Sequence, residues 1–86
     1  MTDPEIRKII IDALTYASVY RVADTGIAEP FIAGTADMRF DELEMDSLAC
    51  MELCIALELN AGVSIVPEEL DRIATLEGLV RRVQRG

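Results

Sequence analysis

Ser47 is the side chain of this sequence best placed for covalent chemistry. It follows Asp46 where the acidic run Asp41-Glu42-Leu43-Glu44-Met45-Asp46 gives way to the apolar stretch from Ala49 to Leu59. A helix beginning there carries the hydroxyl in its first turn, beside unpaired amides and the positive end of the helix dipole, a setting that stabilises an attached phosphate. A serine hydroxyl becomes a nucleophile only when a base removes its proton. The chain has no histidine, its one lysine is Lys8, and it contains no Gly-x-Ser-x-Gly turn. A histidine-based serine hydrolase is therefore excluded and self-catalysis at Ser47 is disfavoured. Asp46 fits as the helix cap. Its carboxylate also repels a neighbouring phosphodiester, or helps a modifying enzyme to hold a metal ion. The plainest alternative is an unmodified Asp-Ser helix start, because Asp-Ser-Leu arises by chance in on the order of a few per cent of chains this long.

The other reactive side chains offer less. Cys50 and Cys54 lie four apart and share a helix face, but no histidine completes a zinc set, and a disulfide within one helical turn is geometrically poor. They read as core or partly buried thiols. The segment from Asp37 to Asp46 lacks the glycine-centred spacing of a calcium loop. Neither a catalytic residue nor a metal site is expected.

Helical periodicity supplies the elements that position Ser47. Asp3-Pro4-Glu5 reads as a helix opening with Asp3 as cap, and Ile6, Ile9, Ile10, Ala13, Leu14 and Ala17 draw one apolar stripe along a helix ending near Val22. From Ala23 to Asp46, Gly26, Pro30 and Gly34 break any regular pattern, so a long structured connection is expected. Ile27, Phe31, Ile32 and Phe40 should fold back from it, since burial is worth about 1.5 to 3 kcal/mol for each large side chain. A second helix is predicted from Ser47 to about Asn60, closed by Asn60 and Gly62, and so apolar that it should touch neighbours on most sides, with Met51 in the core. Val63 to Val66 favours an extended backbone. Pro67-Glu68-Glu69 opens a short third helix ending near Ile73, and Thr75 caps a fourth whose inner stripe is Leu76, Leu79, Val80 and Val83. Gly78 is expected to weaken this last helix by about 1 kcal/mol relative to alanine.

Composition narrows the function further. Hydrophobic residues make up 51% of the 86 positions, enough for a packed core despite a formal net charge of −8. Between Asp37 and Asp71 there are ten acids and one base, Arg39, a local charge of −9. Such a field repels nucleic acid and anionic membranes and attracts basic protein surfaces. No stretch is long enough to span a bilayer, and the Met-Thr-Asp-Pro-Glu start lacks a basic leader followed by an apolar segment, so a cytoplasmic monomer is expected.

The residues around Ser47 carry a longer pattern. Phe40 and Leu43 stand seven and four positions upstream. Asp46-Ser47-Leu48, Met51-Glu52-Leu53 and Ala56-Leu57-Glu58 follow without a gap, then Gly62-Val63-Ser64-Ile65, Pro67-Glu68-Glu69-Leu70 and Ile73-Ala74-Thr75-Leu76. From Phe40 to the C-terminus this resembles the acyl carrier protein family, including its peptidyl and aminoacyl carriers. The resemblance implies an all-α fold, a small four-helix bundle of acyl-carrier type, formed by residues 1–86 as one domain with three main helices, a short third helix and a long loop between the first two. It implies that a phosphopantetheinyl transferase moves a 4'-phosphopantetheine arm from coenzyme A to Ser47, flanked by Asp46 and Leu48, in a magnesium-dependent reaction. The arm then carries cargo as a thioester, and the protein is not itself an enzyme.

Loading ligases and downstream synthases or transferases with basic surfaces would read Glu44, Met45, Glu52 and Glu58. Fatty-acid, polyketide or related specialised biosynthesis is implied. An aminoacyl or peptidyl carrier with the same arm, and an unmodified helical interaction module, are the alternatives. Two departures stand out: Glu44 sits where many members have glycine, and Ala49 where an acidic residue is common.

Overall fold

Thr2, not Asp3, caps the first helix. In the computed structural model, which describes residues 1–86, Thr2 Oγ1 accepts the Glu5 N–H at 3.4 Å while Glu5 Oε1 accepts the Thr2 N–H at 2.8 Å. This reciprocal box places Asp3, Pro4 and Glu5 inside the first turn of α1 (Asp3–Tyr16). Its apolar stripe is buried at Ile6, Ile10, Ala13, Leu14 and, just beyond its end, Ala17, while Ile9 at the edge is half-buried. The helix stops at Tyr16 and does not reach Val22, because Ser18 takes the left-handed conformation (φ 59°) and turns the chain.

Two short helices, α2 (Arg21–Thr25) and α3 (Ala28–Ile32), and a 3-10 turn over Phe40–Leu43 occupy the connection expected to lack regular elements. Each spans little more than one turn, too short to display a helical period in sequence. The expected anchors hold it down. Phe31 is fully buried, Ile27 nearly so, and Ile32 and Phe40 are half-buried.

Ser47–Ala61 forms α4, closed by Gly62 in the left-handed conformation (φ 68°). It packs chiefly along α1, burying Ala49, Leu53, Cys54, Ala56 and Leu57. It is not covered on most sides. Leu48, Met51, Ile55 and Leu59 lie on the opposite face with 46 to 78% of their surface exposed, so Met51 is outside the core. So small a domain has too few elements to wrap both sides of a helix.

After α4, Val63 and Ile65 point inward while Ser64 and Val66 are exposed, leading to α5 (Pro67–Ile73) and α6 (Leu76–Arg85). Thr75 Oγ1 accepts the Gly78 N–H at 3.0 Å, capping α6 as expected. Gly78 does not weaken the fold: a Cβ there would sit 2.7 Å from the Ile73 carbonyl oxygen, so alanine would push α5 and α6 apart.

Two long-range locks hold the bundle together. Phe40 N–H donates to the Ala74 carbonyl (2.9 Å) and Leu76 N–H to that of Met38 (3.0 Å), which seats the 3-10 turn on the α5–α6 junction. Arg7, to which the sequence assigned no role, is buried and is the second lock. Its guanidinium donates to the Phe31 carbonyl (3.1 Å), to Glu77 Oε2 (2.9 Å) and to Asp3, and lies 5.0 Å from the Phe31 ring centroid. The bonds to Glu77 and Asp3 raise its affinity for its proton above the ordinary value. One side chain thereby ties α1, α3 and α6 together. The result is an all-helical bundle without β-strands.

Candidate functional site at the start of α4

Asp46 precedes α4 with an extended backbone (φ −86°, ψ 178°), and its Oδ1 accepts the Ala49 N–H at 2.8 Å. Its carbonyl accepts the Cys50 N–H at 3.0 Å. The amides of Ser47 and Leu48 are left without a partner in the chain, as expected for the first turn of a helix. Ser47 is exposed and Leu48 is 63% exposed. The hydroxyl therefore stands in the open beside two donors and the positive end of a 15-residue helix. This donor set suits a phosphodiester on Ser47 Oγ.

The residues assigned to partners lie mostly around this point. Glu44, Met45, Asp46, Leu48 and Glu52 line one side of a groove of about 500 Å³, whose other wall is the Ala17–Arg21 turn after α1. Met45 and Glu44 also border a smaller groove of about 180 Å³ with Phe40, Cys50 and Leu70. Glu58 is exposed but stands about three helical turns further along α4, apart from both.

Three features here escaped the sequence. Arg21 is one, pairing with Glu44 at 3.1 Å; nothing in the local pattern joins residues so far apart in the chain. Another is the backbone at Glu44, which is left-handed (φ 53°), the conformation glycine adopts without cost. The last is the exposed apolar stripe Leu48, Met51, Ile55 and Leu59, since a helix this apolar is expected to be covered on most sides, with Met51 in the core. Burial pushes the Cys54 thiol up to about 11, and burial with the nearby carboxylates of Asp71 and Asp46 raises Cys50 as well. Both stay protonated near neutral pH and are poor nucleophiles.

This compact, strand-free bundle, with an exposed serine opening α4, is consistent with the acyl-carrier fold. Residues 21–83 match the phosphopantetheine attachment site family, and the chain belongs to that family. Its defining cofactor is 4'-phosphopantetheine. The chain is also similar to an acyl carrier protein of Petrotoga mobilis, at 45% identity over 47 residues, covering 54% of this chain and 55% of that relative. It thus spans about half the length of the curated relative it matches. No solved structure matches the chain.

Proposed function

We propose that this chain is an acyl carrier protein that bears its 4'-phosphopantetheine arm on Ser47. The observation that supports this most is the exposed hydroxyl at the open end of α4, with the Ser47 and Leu48 amides free beside it, inside the stretch that matches the family. When bound, the group supplies a long arm whose terminal thiol carries an acyl chain as a thioester. Ser47 supplies the attachment oxygen and no catalysis, because the chain has no histidine and the neighbouring Asp46 carboxylate caps the Ala49 amide. The free amides and the helix dipole favour the negative phosphate. Asp46 holds the first turn in place through the Ala49 amide.

Recognition falls to the surface around the hydroxyl. Glu44, Met45, Glu52 and Glu58 meet basic surfaces of a phosphopantetheinyl transferase, a loading ligase and downstream synthases. The exposed stripe from Leu48 to Leu59 gives those partners an apolar strip to cover. Exposed ion pairs are worth about 0 to 1 kcal/mol each, so several act together and the contacts weaken with salt. The similarity to an acyl carrier protein favours acyl over aminoacyl cargo, in fatty-acid, polyketide or related specialised biosynthesis.

Incubation with coenzyme A, magnesium and a broad-specificity transferase should add the mass of one phosphopantetheine group, and Ser47→Ala should abolish the gain. An unmodified parent protein, or a modified Ser47→Ala variant, would contradict the assignment.

A further inference from the structure

We infer that the groove between α5 and α6 is a second docking surface, one that takes a short acidic segment of a partner protein. Four of the seven arginines are paired with carboxylates: Arg7 with Asp3 and Glu77, Arg21 with Glu44, Arg39 with Asp41, and Arg82 with Glu69. The three without a carboxylate, Arg72, Arg81 and Arg85, are all exposed and all line this one groove of about 650 Å³. The chain has 16 acids against 8 bases, so carboxylates are in twofold excess, yet none reaches these guanidinium groups. The one carboxylate on the groove wall, Glu69, is already bound to Arg82, which also donates to the Ser64 carbonyl at 3.0 Å.

Gly78 and Ile73 form part of the lining, and the missing Cβ of Gly78 lets α6 approach α5 closely. Arg72 and Arg85 stand in the last turns of their helices, where a cation complements the dipole; Arg81 lies before the last turn of α6 and has no such role.

Three guanidinium forks facing one groove match carboxylates in bidentate geometry. The occupant is a short segment of protein and not an extended polyanion, because the ten acids between Asp37 and Asp71 repel nucleic acid and anionic membrane brought alongside. A partner that offers a basic surface to α4 and an acidic segment to this groove is held in a single orientation. The inference does not depend on modification of Ser47.

The test is an amide-shift titration of the ¹⁵N-labelled Ser47→Ala protein with an N-acetylated, C-amidated peptide of four glutamates. Shifts confined to residues 69–73 and 78–86, abolished by high salt, are expected. The triple variant R72Q/R81Q/R85Q should bind about tenfold more weakly or worse, and the triple lysine variant should fall between it and the parent. Should the triple glutamine variant lose its dispersed spectrum, R81Q decides with a loss of about threefold. No shifts, shifts elsewhere, or affinity unchanged in the glutamine variants would overturn the inference. So would equal shifts with inorganic phosphate or a DNA oligonucleotide, or the same shifts on raising protein concentration without peptide, which would identify a second copy as the occupant.

Discussion

Ser47, Ser18 and Ser64 are all exposed, so accessibility does not distinguish the three serines of this chain. Position does. Ser18 occupies a left-handed turn after α1, and Ser64 lies in the extended segment before α5, whereas Ser47 opens α4 with free amides on either side of its own carbon framework. The neighbouring Glu44 shows the cost of local geometry more plainly. Its left-handed backbone strains any residue with a Cβ by about 1 kcal/mol, and its exposed ion pair with Arg21 returns less than that. Glu44→Gly relieves that strain against the lost ion pair and the greater freedom of glycine in the unfolded chain, so it should raise stability by no more than about 0.5 kcal/mol in chemical denaturation. A loss of stability would show that the Arg21 pair matters more than the backbone. The resemblance implies glycine at this position, and the left-handed dihedral angle gives a physical reason for it.

Along α4, one helix serves two environments. Its inner face is sealed against α1 and its outer face is apolar but open, so equal residue types carry unequal energies. Leu53 is fully buried and Leu59 is 78% exposed. Leu53→Ala should cost about 3 kcal/mol, and Leu59→Ala less than about 0.5 kcal/mol while weakening partner contacts. Equal losses in the two denaturation curves would contradict the division of faces. The same helix shows what is legible in the sequence alone. Its start at Ser47, its Asp46 cap and its Gly62 close follow from residues within a turn of each end, as do the Thr75 cap of α6 and the boundaries of α5. Burial of Met51 did not follow, because the apolar content of a helix reports how much surface is greasy and not how many neighbours exist to cover it. Short elements were illegible for a related reason: α2 and α3 are held by tertiary burial of Val22 and Phe31, not by a repeating pattern. Arg7 was invisible because its partners lie up to 70 positions away in the chain.

For the molecule as a whole, charge is uneven: carboxylates crowd the stretch from Asp37 to Asp71, and unpaired arginines gather between α5 and α6. Mutual repulsion of the acids opposes the folded state, and salt screens it over about 10 Å at 0.1 M. The melting temperature should rise with ionic strength or millimolar divalent ions; one that stays constant or falls would mean that the ion pairs of Arg7 and Arg82 outweigh the repulsion. No helix is long and apolar enough to cross a membrane. The bundle holds one hydroxyl at the open end of α4 by means of the Asp46 cap and the 3-10 turn seated on the α5–α6 junction. The most direct test of that claim is fragment-ion mass spectrometry of the transferase-treated protein, which locates the phosphopantetheine on a single residue. All of it should be found on Ser47. An adduct on Ser18 or Ser64, or none on any serine, would contradict the account.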